Sequence, residues 1–385
     1  MESAEGVHVP LLLDRSRDKN ESHRITLLRK RLTENPGDRF AEFELVQALW
    51  EDESRDEATR VCLALVRKEG LAPTVMEAAA GFLFDRRELA AARECFERMA
   101  ASVPERALPQ YYLGRVYDLL GMWEESTQAH RTAIALEPEN AECYYRYGVT
   151  LARHERREEA EEYYRRAISL DGAHSKAYTN LGCMLDLRGD GDEAMTLFRK
   201  ALQHDPNSAE AHFNLGALYG ENGSHERAIR EFEKAIRLDP NSVEAHYNLG
   251  LARYEQSDLD GALASFKRVV KLEGSHPYAG YFVGMVYYRK GVYAKAIKVL
   301  QDALKADPEN PSILYHIGVC YNRMDQPAKA IPPLKRVTEL SPQHRKAFYY
   351  LGVVYDKTGM VDEAKESYRA ADTGIHRGEP RRATL

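Results

Sequence analysis

The chain has 385 residues and a formal net charge of −6. That charge gives no push toward nucleic acid, and no basic run interleaved with aromatics suits single-strand binding. The five cysteines, Cys62, Cys95, Cys143, Cys183 and Cys320, sit at no metal-ligand spacing and form no CxxC pair, so they read as buried thiols of a reducing compartment.

Residues 1–22 read as a disordered leader with a small apolar knot at Val9, Pro10, Leu11, Leu12 and Leu13. The knot is too short to span a bilayer, and acids stand where a signal peptide needs positive charge. The expectation is a cytoplasmic protein without membrane insertion. The knot should dock on the first helices or serve as a short linear motif that could fill the protein's own groove.

Residue 39 opens a periodic pattern. DPNSAEAHFNLG, from Asp205, returns 34 residues later as DPNSVEAHYNLG. Gly114, Gly148, Gly182, Gly216, Gly250, Gly284, Gly318 and Gly352 keep the same spacing. Twelve residues after each comes a small residue, such as Ala160, Ala194 or Ala228, and four further on a ring or aliphatic, such as Tyr164, Phe198 or Phe232. His130 is the odd member of that slot. Proline closes many units, at Pro104, Pro138, Pro206, Pro240, Pro308 and Pro342.

Each slot has a physical task. Gly216 and Ala228 fall where two helices must approach closely, and Leu215 and Phe232 supply apolar bulk at helical spacing. Gly121, Gly189, Gly223, Gly291 and Gly359 recur in the turn, where a left-handed residue ends a helix. The prolines stop one helix and start the next. Asn207-Ser208 and Asn241-Ser242 are helix caps. The segment 23–38, with Pro36 in the proline slot, reads as a half-repeat helix. Ten units follow at 39–72, 73–106, 107–140, 141–174, 175–208, 209–242, 243–276, 277–310, 311–344 and 345–378, and then a flexible tail at 379–385.

These residues resemble the tetratricopeptide repeat family. The resemblance implies an all-α, right-handed α-solenoid superhelix of helix-turn-helix repeats, non-enzymatic, with partners held along a concave groove lined by each unit's first helix. The first two units depart most, with Val46 and Ala80 in the glycine slot. The two-carboxylate clamp of chaperone adaptors does not fit, because Tyr111, Tyr145, Arg115 and Val149 stand where its first Lys and Asn belong.

Carried over slot by slot, the groove contains Asn180, Asn214 and Asn248, a row suited to pairing with a peptide backbone because an amide both donates and accepts. Glu210, Glu221, Glu244 and Glu255 flank this row. Toward the C-terminal end the slots turn basic, with Arg289, Arg323, Lys346 and Lys357, among Tyr247, Tyr254, Tyr278, Tyr281, Phe282, Met285, Tyr288, Tyr315, Tyr349 and Tyr350. Aromatics with interspersed cations are the make-up of interface hot spots.

No catalytic constellation, phosphate loop or metal-ligand set stands out, so no cofactor is expected. His212 and His246 share a slot in adjacent units and read as packing residues. The function expected is a scaffold or adaptor that binds an extended peptide or helix of a protein partner, acidic with apolar anchors. Two alternatives are carried. One is self-assembly into a homo-oligomer through a C-terminal end left uncapped around Val361 and Tyr368. The other is an accessory subunit presenting substrates to a separate enzyme such as a glycosyltransferase. Arg381-Arg382-Ala383-Thr384 resembles a basophilic kinase site.

Overall fold

The computed structural model describes residues 21–373 apart from Ser275 and Pro277. The knot at Val9–Leu13 and the tail with its Arg381–Thr384 motif lie outside them. Among the described residues every regular element is an α-helix.

The chain forms two compact units, and the boundary between Met184 and Leu185 falls inside a helix. The first unit opens with α1 (Glu21–Glu34). Four hairpins follow: α2 (Arg39–Glu51) with α3 (Arg55–Val66), α4 (Pro73–Asp85) with α5 (Leu89–Ser102), α6 (Ala107–Leu119) with α7 (Trp123–Leu136), and α8 (Ala141–Arg153) with α9 (Arg157–Leu170). It ends within α10 (Ser175–Arg188).

The second unit continues from α10 into α11 (Gly191–His204). Then come α12 (Ala209–Glu221) with α13 (His225–Leu238), α14 (Val243–Glu255) with α15 (Leu259–Leu272), α16 (Ala279–Arg289) with α17 (Tyr293–Leu304), α18 (Pro311–Arg323) with α19 (Pro327–Leu340), and α20 (Arg345–Thr358) with α21 (Val361–Thr373).

In seven of the hairpins one contact type recurs. The first helix presents a bare glycine, and the large side chain sixteen residues later lies flat against it. A methyl group on Gly148 would meet the Tyr164 ring at 2.8 Å, on Gly216 the Phe232 ring at 2.9 Å, and on Gly250 the Phe266 ring at 2.7 Å. Gly284 packs on Leu300, Gly318 on Leu334 and Gly352 on Tyr368 in the same way. Tyr164, Phe198 and Phe266 are buried to 1 % exposure or less, so each contributes about 2 kcal/mol of transfer free energy. In the first hairpin the volume is traded: Val46 takes the glycine slot and Cys62 the ring slot, both fully buried.

Caps mark the helix starts. Ser208 Oγ accepts the Ala211 N–H at 3.2 Å, and Ser242 Oγ accepts the Ala245 N–H at 3.1 Å. Pro73, Pro311 and Pro327 stand in first turns, where the missing N–H costs nothing.

The turn slot behaves in a way that the glycines alone do not reveal. Gly121, Gly189, Gly223, Gly291 and Gly359 all have positive φ, from 69° to 96°. So do Glu53, Arg87, Glu155, Ser257 and Asp325, which occupy the same slot in the other hairpins, at φ from 52° to 66°. A side chain there costs roughly 1–2 kcal/mol per residue. The hairpin geometry therefore imposes the left-handed turn whether or not a glycine is present.

His130 is the polar exception in the ring slot. It lies against Gly114 and is 1 % exposed. Its Nε2 lies 3.1 Å from Thr150 Oγ1, while its Nδ1 is buried without a partner. Burial, helped by the nearby Arg115 and Arg146 charges, pushes its pKa down to about 3.

Two measurements follow from this packing. Glu155→Gly should raise the unfolding free energy by about 1 kcal/mol, and Gly223→Ala should lower it by a similar amount; urea melts read both. For His130, the unfolded chain takes up a proton below about pH 6.5 and the folded chain resists until about pH 3. Its contribution is therefore intact above pH 6.5 and is lost as pH falls, with a slope of about 1.4 kcal/mol per pH unit. His130→Phe combined with Thr150→Val should remove that slope from the stability–pH profile.

Candidate partner-binding face

The first-helix faces of α16, α18 and α20 bring one group of side chains together. Tyr281 Oη on α16 lies 3.5 Å from His316 Nδ1 on α18, and Tyr288 packs edge-on against the same imidazole with ring centres 5.8 Å apart. His316 in turn bonds the Ser312 carbonyl through Nδ1 at 2.7 Å. Tyr315 contacts His344 at 4.9 Å and Tyr350 at 5.9 Å between ring centres, and Tyr349 lies 5.6 Å from Tyr350. Burial pushes the Tyr281 phenol up to about 12 and raises those of Tyr288 and Tyr315. The ring surface is thus partly dry.

Two cations border it. Arg323 is exposed at the end of α18, and the Tyr350 and Tyr288 phenols hold its guanidinium above its ordinary value. Lys346 is exposed at the start of α20, and its charge, after burial and His344, helps depress the His316 pKa. Among the described residues neither cation has a carboxylate partner. Tyr349 is 53 % exposed and Tyr278, at the N-cap of α16, is 59 % exposed. Met285 is half-buried on α16.

Other residues of the expected groove serve the fold. Phe282 stacks on Phe266 with ring centres 5.1 Å apart and planes 17° apart, and Tyr247 and Tyr254 meet its edges. Arg289 donates to the Tyr254 carbonyl at 2.7 Å and to Ser257 Oγ at 2.9 Å, with its guanidinium 4.4 Å over the Tyr254 ring. It clamps the α14–α15 turn. Lys357 pairs with Asp325 at 3.2 Å.

The asparagines are similarly engaged. Asn180 donates to Tyr164 Oη at 3.3 Å and Tyr145 Oη at 3.5 Å within the first unit. Asn248 donates to the Glu244 carbonyl at 3.0 Å. Asn214 is half-buried and has interactions of its own. His212, the packing histidine, is buried between Glu231 Oε2 at 2.6 Å and the Pro206 carbonyl at 3.1 Å.

Sequence reasoning missed His316 and His344, which join the tyrosines of neighbouring helices. The available signal was position: each stands at the start or inside of a first helix, next to a groove tyrosine or one turn before it. Nothing in the described residues groups three metal-ligating side chains. The C-terminal hairpin leaves Val361 54 % exposed, while Tyr368 is half-buried against Gly352, its hydroxyl donating to Asp356 at 2.7 Å. Apolar surface around Val361 is thus open at this end, with Tyr368 partly covered.

Comparison with known families places residues 169–384, somewhat more than half of the chain, on the model of the cilia and flagella-associated protein 70 C-terminal domain. Residues 141–174 match the tetratricopeptide repeat model. A search of curated proteins found no match. Among solved structures, the chain is similar to YrrB, a TPR protein described as having an unusual peptide-binding site, at 24 % identity and TM-score 0.45, over 48 % of this chain and 95 % of that one. It is similar to MamA from Desulfovibrio magneticus, at 25 % identity and TM-score 0.43, over 45 % and 97 %. PilF of Pseudomonas aeruginosa aligns at 19 % identity and TM-score 0.46, over 58 % and 98 %.

Stability measurements separate the two classes of ring. Phe282→Ala should cost about 3 kcal/mol, because a stacked core-edge ring is lost. Tyr349→Ala and Lys346→Ala should stay within about 0.5 kcal/mol of the parent in thermal melts.

Proposed function

The chain belongs to the tetratricopeptide repeat family of the cilia and flagella-associated protein 70 C-terminal domain, and on that premise we propose that it is an adaptor holding an extended segment or helix of a partner protein along α16, α18 and α20. Repeats of this family act in general as protein-interaction scaffolds rather than as enzymes. The observation that carries the finer reading is the pair of exposed cations without a carboxylate partner among the described residues, Arg323 and Lys346, set beside half-buried tyrosines. Comparable cations nearby, Arg289 and Lys357, are already occupied by the fold.

Physical chemistry then describes the partner. Rings with a few polar tips offer apolar contact area at low entropic cost, and guanidinium among them discriminates for carboxylates. The partner segment should carry acids spaced between apolar anchors. The asparagine row contributes little to this reading, because Asn180 and Asn248 already spend donors on their own hairpins. All five cysteines are free thiols, four of them buried, which favours a reducing, cytoplasmic setting. No helix among the described residues is long and apolar enough to cross a membrane.

Photo-crosslinking tests the face. With a photoreactive phenylalanine at position 349, the captured segment should be acidic with apolar anchors, and Arg323→Glu should reduce its capture roughly tenfold or more without loss of helicity. Undiminished capture by Arg323→Glu would remove this face from the function.

A further inference from the structure

The first unit contains a second site, separate from the tyrosine face. The ends of α4, α6 and α8, with the turn after α4, line a half-open cavity of about 290 Å³. Its charged lining is Arg87, Arg115, Arg146 and Arg153 against Asp85 and Asp118. We propose that this cavity receives the phosphoryl group of a phosphorylated serine or threonine on a partner chain.

The arginines are held, not loose. Arg115 lies with its guanidinium carbon 4.6 Å over the Phe84 ring and 5.5 Å over the Tyr112 ring. Stacking of that kind fixes the plane of the group and leaves its in-plane N–H donors aimed outward. Arg146 is turned by Glu142, which accepts from its Nε at 2.6 Å from outside the cavity, and its carbon sits 5.2 Å over the Tyr145 ring. Arg153 donates through Nη1 to Asp118, whose second oxygen lies 3.0 Å from His154 Nε2. Arg87 occupies the left-handed turn position described above, at φ 65°. Among the described residues Arg87 and Arg115 have no carboxylate partner.

The balance of groups selects the ligand. Four guanidiniums face two carboxylates in the lining, and Asp118, side chain 4 % exposed, is already saturated by Arg153 and His154. With Arg146 paired to Glu142 and Arg153 to Asp118, the site keeps more free donors than acceptors and a surplus of about one positive charge, Arg87 and Arg115 against Asp85. A phosphomonoester carries about −1.5 to −2 at neutral pH and three acceptor oxygens, enough to meet both unpartnered guanidiniums, Arg87 and Arg115, at once. A single carboxylate brings one charge and two oxygens, and would leave guanidinium donors unmatched. Planar guanidiniums suit phosphate oxygens bidentately. Asp85 is the one carboxylate in the lining without a cation partner, so it opposes any anion that enters.

The test uses the full chain and four probes in calorimetry: a blocked Ala-phosphoserine-Ala peptide, its Ser and Glu counterparts, and inorganic phosphate. The phosphopeptide should bind at least roughly tenfold more tightly than each of the other three. Arg115→Gln should weaken it by roughly tenfold. Asp85→Asn, at an exposed position with no structural partner, should tighten it, which keeps the test decisive if Arg115→Gln loses helicity by circular dichroism. Equal binding of the Glu peptide would make this a carboxylate site and overturn the proposal. Equal binding of inorganic phosphate would make it a free-ion site, and unchanged affinity in both variants would show that the cavity is not the site; either result also overturns it.

Discussion

A bulky side chain pressed against bare backbone is the contact on which most of the hairpins depend. A β-carbon at Gly148, Gly216, Gly250, Gly284, Gly318 or Gly352 would come within 2.5 to 2.9 Å of the side chain opposite, closer than atoms sit in packed interiors. At these six positions the helices can close only because glycine stands there, whereas the α2–α3 and α4–α5 hairpins close with Val46 against Cys62 and Ala80 against Phe96 in the same slots. Glycine in a helix costs about 1 kcal/mol relative to alanine, and the buried ring offsets it. The left-handed turn is a consequence of the same closure. It is enforced at Glu155 and Ser257, where the residue itself disfavours it.

Because this contact uses the inner stripe of both helices, the outer face of each first helix is left to other work. On α16, α18 and α20 that face gathers Tyr281, Tyr288, Tyr315 and Tyr350 around His316 and His344, with Arg323 and Lys346 at the margin. On α4, α6 and α8 it gathers arginines braced by Phe84, Tyr112 and Tyr145. The rings of both groups also pack on their hairpins, Tyr281 on the Leu300 cluster, Tyr315 and Tyr350 on the Leu334 cluster and Tyr112 on Phe96, while Arg323, Lys346, Arg87 and Arg115 keep no carboxylate partner among the described residues. A repeat that stabilises itself by short-range contacts can vary these faces unit by unit without altering its core.

The fold was readable because its signal is local and periodic. Gly216, Ala228 and Phe232 announce a close helix pair by size alone, and Ser208 and Ser242 announce caps by type. The site was less readable, for a physical reason in each case. Arg289 and Lys357 look like free cations in sequence, but their partners, Tyr254 with Ser257 and Asp325, lie one hairpin earlier. Phe282 looks like a groove ring, yet it stacks on Phe266. Asn180 and Asn248 look like an open row, yet their amides reach Tyr164 and the Glu244 carbonyl. Long side chains choose partners across hairpins, and spacing along the chain does not report that choice. The arginine cavity was invisible for the same reason, since Arg87, Arg115, Arg146 and Arg153 occupy four different slots of the repeat.

Native-state hydrogen exchange tests most directly whether the glycine–ring contact is what binds a hairpin into one unit. If it is, the amides of α12 and α13 open together, with one common free energy and one common denaturant dependence, and so do those of α14 and α15. If instead α13 opens with α14 while α12 opens separately, the strongest coupling lies between hairpins, and the glycine–ring contact is not what makes each hairpin a unit.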